Sequence, residues 1–174
     1  YCRDAVAELA LGLALDCLRN ISTCNSVVRK GGTKVGLVGH ELSGRTVGIV
    51  GTGDTGIRTA QLYKAFGCRV LGYSRSQRQL ALDSGVEYVS LEQLLQMSDI
   101  VSVHTPLNEN TRNLINAERV AMMKPGAILV NTSRGPVVDS QAVADALKSG
   151  HLAALGTDVF ETEPPVPEDH PFFG

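Results

Sequence analysis

Between Gly44 and Ser76 the chain reads GRTVGIVGTGDTGIRTAQLYKAFGCRVLGYSRS. Its first apolar run, Thr46 to Val50, is short and β-branched, as a buried strand requires. Gly51, Gly53 and Gly56 follow in Gly-x-Gly-x-x-Gly spacing. The next apolar positions, Ile57, Ala60, Leu62, Tyr63 and Phe66, recur with a helical period, and Gly67 is placed to end that helix. A second strand, Cys68 to Tyr73, completes a strand–helix–strand unit.

Glycine pairs also mark ordinary turns, so the spacing alone is weak. Here the strand before, the helix after and the second strand are all present, which is the context a dinucleotide site demands. One glycine makes the tight turn, one lets the pyrophosphate approach, and one lets helix and strand pack closely. Asp54, Thr55, Gly56 and Ile57 open the helix, whose free amides would face the phosphates. The acid that would hold an adenosine ribose hydroxyl belongs at the end of the second strand. That position is Ser74, followed by Arg75 and Ser76. A serine does not repel a 2′-phosphate and an arginine pairs with one, so the sequence leans towards tolerance of NADP beside NAD. The plain alternative for Arg75 is a solvated surface arginine.

Outward from this unit, 174 residues suit one well-buried domain. With 43% hydrophobic residues, 20% charged residues and a net charge of −2, nothing points to disorder, nucleic acid or a membrane surface. Cys2, Cys17, Cys24 and Cys68 form no CxxC pair. On a continuous helix Cys17 and Cys24 would stand roughly 10 Å apart, too far for a disulfide. Reduced thiols and the lack of a visible signal peptide favour the cytoplasm. No metal site is expected.

Tyr1 to about Arg19 reads as a helix with Val6, Leu9, Leu13 and Cys17 on one face and Leu11, Leu15 and Leu18 on another. Such a helix is buried in a core or against a partner. Gly12 inside it suggests close packing on another backbone. A more polar helix, Ser22 to Lys30, closes this helical lead-in over residues 1–30, and Gly31 to Gly39 reads as a loop. Downstream, helices are expected at Gln77–Leu82, Leu91–Met97 (capped by Ser90), Ala117–Met123 and Ser140–Ser149 (capped by Ser140). Strands are expected at Val86–Val89, Ile100–Val103, Ala127–Val130 and Leu152–Val159. This alternation specifies an α/β fold with a doubly wound parallel sheet of the Rossmann type.

Ligands of such sheets sit beyond the carboxyl ends of the strands. Those ends read Gly51-Thr52-Gly53, Ser74-Arg75, His104-Thr105-Pro106, Asn131-Thr132-Ser133-Arg134-Gly135 and Asp158. They hold most of the polar residues that interrupt the apolar pattern, and together they mark a candidate site.

These ends also carry a resemblance. VAELALGLAL at Val6, ELSGRTVGIVGTGDTG at Glu41, VSVHTPLNENT at Val101, MMKPGAILVNTSRGPVVD at Met122 and GTDVFETEPP at Gly156 occur in the order of the D-isomer-specific 2-hydroxyacid dehydrogenases. The chain resembles the nucleotide-binding domain of that family over residues 1–174, with Thr55 where the family more often has isoleucine. The resemblance implies hydride transfer between nicotinamide and C2 of a small D-2-hydroxy or 2-keto acid, in a homodimer. Arg134 would clamp the substrate carboxylate and polarise the 2-oxo group. Glu163, with Glu161 as the nearby rival, would hold the catalytic imidazole, and Asp158 would meet the nicotinamide carboxamide. His104, Thr105, Pro106, Thr111, Thr132 and Ser133 would line the cofactor.

By the same resemblance the catalytic histidine belongs to a Thr-Pro-His segment downstream of Gly174, and a substrate domain precedes and rejoins this one. His170 is too early for that role, and His40 and His151 read as surface or loop residues. A catalytic parent and an inactive isolated chain are therefore expected. Two rivals share the framework: a non-catalytic, dinucleotide-sensing scaffold of the corepressor type, and an enzyme using another reductant such as phosphite.

Overall fold

The computed structural model describes residues 2–173. β1 (Thr46–Val50), β2 (Arg69–Tyr73), β3 (Glu87–Tyr88), β4 (Ile100–Val103), β5 (Ala127–Asn131) and β6 (Leu152–Thr157) form one sheet in the order β3-β2-β1-β4-β5-β6. Every pairing in it is parallel. The chain therefore winds outward from β1 to β3, returns to β4, and winds the opposite way to β6. The direction reverses between β1 and β4, where Val47 to Val50 pair with Ile100 to Val103. This α/β, doubly wound Rossmann-type sheet is the one expected.

Right-handed crossovers put the connecting helices of the two halves on opposite faces. α3 (Asp54–Ala65) and α4 (Gln79–Asp83) cover β1 to β3 on one side, while α5 (Leu91–Met97), α6 (Ala117–Met122) and α7 (Ser140–Lys148) cover the other. Ser90 caps α5 in a capping box with Gln93, as its position predicts. α7 differs from expectation: Asp139 is its cap, accepting from the Ala142 N–H at 3.0 Å. Ser140 is thereby the first helical residue, with its hydroxyl free for another partner.

This winding leaves β5 and β6 bare on the α3 side. α1 (Arg3–Arg19) fills that gap, packing on α3, β5 and β6. The expectation of a helix opening at Tyr1 falls outside the described residues. From the two apolar faces expected, the buried face of α1 takes only Leu11 and Leu18 and adds alanines. It is Ala7, Ala10, Leu11, Ala14 and Leu18, while Leu9 is 40% exposed. Alanines weigh little in a hydrophobic period, yet they let a helix lie close to a sheet. The expectation for Gly12 is overturned as well, since that residue is exposed and a β-carbon there would meet nothing within 4 Å. The tight contact lies on the opposite partner. A β-carbon on Gly156 of β6 would come within 2.8 Å of Leu13 Cβ.

α1 ends at Asn20, whose φ of 53° breaks the helix before α2 (Ile21–Arg29). Asp16 caps the start of α2 by accepting from the Ser22 N–H at 2.7 Å. The four cysteines are free thiols. No described helix is long and apolar enough to cross a membrane.

The docking of α1 makes a paired prediction. Gly156→Ala forces α1 off the sheet and lowers stability by about 1–3 kcal/mol. Gly12→Ala, in an exposed helix interior, raises it by up to about 1 kcal/mol. Thermal melts of the two variants read opposite signs, and a melting temperature unmoved by Gly156→Ala contradicts the close contact.

Candidate functional site

The three loop glycines divide the work as their spacing suggests. Gly51 has φ +99°, and a β-carbon there would lie 2.7 Å from the His104 carbonyl oxygen. A β-carbon on Gly56 would overlap the Gly51 carbonyl, so α3 can sit this close to β1 only with glycine. Gly53 faces open space, with nothing within 4 Å of an added β-carbon. It is the N-cap of α3 and brings no side-chain cap, leaving the first-turn amides to an outside acceptor. Ile57 takes no part in that: its N–H bonds to the Gly53 carbonyl at 2.9 Å and its side chain is in the core. Gly56 likewise acts only through packing.

Two cavities open along the carboxyl ends of the strands. One, of about 440 Å³, is lined by Gly51, Gly53, Ser74, Arg75 and Thr111, and further by Tyr73, Asn108, Asn110 and Leu114. The other, of about 460 Å³, is lined by Thr55, Thr132, Ser133 and Arg134, with Val6 and Leu107. His104, Thr105 and Pro106 line both, so the two form one trough with this tripeptide at its waist.

The walls of the trough are fixed by local hydrogen bonds. Asn131, at the end of β5, accepts through Oδ1 from the Ser133 N–H at 3.1 Å and from its hydroxyl at 2.7 Å. Its Nδ2 donates to the Arg134 carbonyl at 3.0 Å. This bracket turns the chain so that Arg134 reaches the cavity. The Arg134 guanidinium is exposed, and Nη1 donates to the Ser133 carbonyl at 2.6 Å. Thr111 Oγ1 donates to the Pro106 carbonyl at 2.6 Å and accepts from the Asn108 N–H at 2.8 Å, closing the loop beyond the waist.

His104 is half-buried, with Nε2 2.8 Å from Ser102 Oγ. Burial pushes its imidazole down to about 4, so the ring is neutral at pH 7. The hydroxyls of Thr105 and Thr132 are buried without a hydrogen-bond partner among the described residues. Two orphaned hydroxyls in the trough walls, an uncapped helix start and an open Gly53 make a cradle for a polar, phosphate-bearing ligand.

Several expected residues stand elsewhere. Asp158, expected as a buried carboxylate, lies just past β6 and is exposed, because β6 stops at Thr157. Ser76 is exposed on the segment after β2 and outside the cavity lining. Asp54 points away from the trough: its Oδ1 pairs with Arg78 Nη1 at 2.6 Å, and that ion pair holds the carboxyl below the usual range. Glu163 is exposed, with Oε1 accepting from the Phe160 N–H. The rival Glu161 is engaged differently. It accepts from the Ser140 hydroxyl and, at 2.8 Å, pairs with Nε2 of the buried His170. Burial raises the Glu161 carboxyl, but the bonds from His170 and Ser140 outweigh it and the net shift is downward. The backbone at Phe160 and Glu161 lies against Gly135, where any β-carbon would overlap it, so this clip seats the Glu163 segment beside Arg134. Val6, read in the sequence as an apolar face residue of the first helix and the start of a matching motif, was not expected in the cavity lining. Asn108 and Asn110 sit in the polar run after His104 and were within reach of it.

The comparisons with known proteins agree with this geometry. The family model described as D-isomer specific 2-hydroxyacid dehydrogenase, NAD binding domain, matches residues 11–174. The chain belongs to this family. A hydroxypyruvate reductase of Thermotoga maritima is 43% identical over 165 residues, 94% of this chain and 53% of the relative. A structure reported with the pyruvate reductase of Chlamydomonas reinhardtii superposes with a TM-score of 0.92 at 42% identity, covering 97% of this chain and 51% of that one. The D-lactate dehydrogenase of Aquifex aeolicus, solved with NAD and lactic acid, gives a TM-score of 0.88 at 37% identity, covering 92% and 49%. The chain thus spans about half the length of the relatives it matches.

His104 makes the fold sensitive to acid. Its folded pKa of about 4 lies below the ordinary histidine value, so protonation favours the unfolded chain. The stability this contributes is whole above about pH 6.5 and is lost as the pH falls towards 4, about 1–2 kcal/mol of it between pH 7 and 5. His104→Asn removes that share of the slope. Urea melts of both forms at pH 7 and pH 5 measure it, and equal slopes contradict an imidazole held neutral by desolvation.

Proposed function

We propose that the protein containing this chain is an NAD(P)-dependent D-2-hydroxyacid dehydrogenase, and that residues 1–174 are its dinucleotide-binding domain. The observation that carries this reading is the trough itself: Arg134 opens into the same cavity as Thr55 and the His104–Pro106 waist, directly beyond the glycine loop. Bound nicotinamide cofactor would supply or accept the hydride at C2 of a small 2-hydroxy or 2-oxo acid.

The chain's own residues would do the rest. Gly51, Gly53, Thr55 and the first amides of α3 hold the pyrophosphate, with Asp54 at the loop's edge and Gly56 and Ile57 packing beneath. Ser74 and Arg75, with Ser76 alongside, meet the adenosine end and tolerate NADP as well as NAD. His104, Thr105, Pro106 and Thr111 line the middle. Thr132 and Ser133 line the nicotinamide end, where a carboxamide would satisfy the orphaned Thr132 hydroxyl, and Asp158, exposed just past β6, would meet that carboxamide from outside the cavity. Neutral His104 adds no charge to that lining. Arg134 grips the substrate carboxylate and the 2-oxo oxygen with the guanidinium donors left beside its bond to Ser133, in a planar fork that lysine lacks. Glu163 holds the imidazole that donates the proton to the 2-oxo oxygen and keeps it charged until then. We place that imidazole outside residues 1–174, so the isolated chain binds dinucleotide without turnover.

A second copy of the protein is the partner this reading implies, supported by exposed Leu9, Ile21, Val28, Val35 and Val38 on and after the first two helices. The cytoplasm is the compartment that free thiols favour.

Reduction of glyoxylate, hydroxypyruvate and pyruvate by the full-length protein, followed at the reduced cofactor's absorbance, tests the activity. Arg134→Lys lowers kcat/KM about 100- to 1000-fold, with cofactor affinity nearly unchanged. No turnover of any 2-oxo acid despite cofactor binding rejects the dehydrogenase and favours the sensing scaffold. Arg75→Ala weakens NADP(H) about ten- to hundredfold and leaves NAD(H) nearly unchanged, whereas Ser74→Asp does the reverse. Equal losses for both cofactors retire the NADP role of Arg75.

A further inference from the structure

β4 sends its side chains alternately to the two faces of the sheet. Val101 and Val103 enter the core under α5, α6 and α7, while Ile100 enters the one shared by α1 and α3. Ser102 and His104 continue the Ile100 side, so a fully buried hydroxyl backs the waist of the trough. Ser102 Oγ lies 2.8 Å from His104 Nε2 and bonds to no other described residue. Tyr63 of α3 is also fully buried, and its hydroxyl has no hydrogen-bond partner among the described residues. Ser102 is the side chain that approaches it. Both rings stay neutral, because burial pushes the Tyr63 phenol up and the His104 imidazole down.

Counting protons then orders the row. A serine hydroxyl has one proton to give, and a phenol has one that must be placed. If Tyr63 directs its proton at Ser102, Ser102 gives its own to Nε2, and the ring proton sits on Nδ1. In the reverse order Ser102 donates to Tyr63, and the phenol proton is buried with no acceptor, the costlier arrangement. Nδ1 bonds to no described residue and is not sealed from solvent, and His104 lines both cavities.

We propose that Ser102 is a positioning residue that fixes His104 as its Nδ1–H tautomer, and that this N–H donates to an oxygen acceptor at the middle of the dinucleotide. This rests on reading the trough as a dinucleotide site. The waist lies between the glycine loop and Arg134, so the pyrophosphate and the ribose next to the nicotinamide have to cross it. Both are rich in acceptors. The hydrogen bond made by one ring nitrogen decides which nitrogen carries the proton. A ring already held from behind loses little further freedom when the cofactor arrives.

The test uses the full-length protein, isotopically labelled in the nitrogens of its histidine rings, with the His104 signals identified by their loss in His104→Asn. At pH 7 wild type shows a protonated-type Nδ1 and an unprotonated-type Nε2. An Nε2–H ring in wild type overturns the inference, whatever the variants do. Ser102→Ala moves population to the other tautomer and weakens NADH and ADP-ribose about three- to tenfold. AMP, which stops short of the waist, binds unchanged, and Ser102→Thr, which keeps the hydroxyl, restores both tautomer and affinity. ADP separates the acceptors: it weakens alongside NADH if the bond is to phosphate and holds its affinity if the bond is to the ribose. Should Ser102→Ala bind NADH as tightly as wild type, or lose AMP as much as NADH, the inference fails and the site reading stands. A wild type that binds neither NADH nor ADP-ribose overturns both.

Discussion

Where β1 ends, the backbone of Gly51 passes so near the His104 carbonyl that no residue with a β-carbon can make the passage, and the carbonyl of Gly51 in turn closes the space beneath Gly56. These contacts lock the ends of β1 and β4 and the start of α3 together at the point where the sheet reverses direction. Everything the site needs is measured from there. The open side of Gly53, the waist at His104-Thr105-Pro106 and the amides of α3 follow from three missing side chains. A larger group at Gly51 or Gly56 would separate helix from strand and remove the cradle with it.

The second dependency runs through α1. Opposite winding of the two half-sheets leaves β5 and β6 uncovered on one face, and a helix from before β1 supplies the cover. It does so with Ala7, Ala10 and Ala14 in its buried face and with Leu13 set against Gly156, where β6 carries no side chain to hold the helix off. The same helix brings Val6 to the trough. Core formation and the Arg134 end of the site are thereby coupled, through a segment that motif reading treats as a separate lead-in.

Charge is arranged along the trough with some economy. Neutral His104 sits at the waist, Arg134 at one end and Arg75 at the other. The acids are held at the margins by specific partners: Asp54 by Arg78, Glu161 by Ser140 and His170. The Glu161 clip explains why His170, a lone histidine in a proline-rich tail, is buried. It fastens the segment bearing Glu163 beside the Arg134 turn and has its own partner.

The doubly wound parallel sheet, the glycine spacing, the polar residues at the strand ends and the family were legible in the sequence, because each leaves a local mark. A glycine at positive φ, a capping box and a β-branched run leave marks within a few residues. Most of the lining residues could be named for the same reason, since a parallel sheet delivers every strand end to one rim. What the sequence could not settle was which of two surfaces on a helix faces inward, or which carboxylate meets which cation. Gly12 and Gly156 look alike in a string, but only one lies under a neighbouring backbone. Asp54 and Arg78 are 24 residues apart, and nothing local joins them. Those decisions belong to packing: they depend on distances between segments that the chain brings together only when it folds.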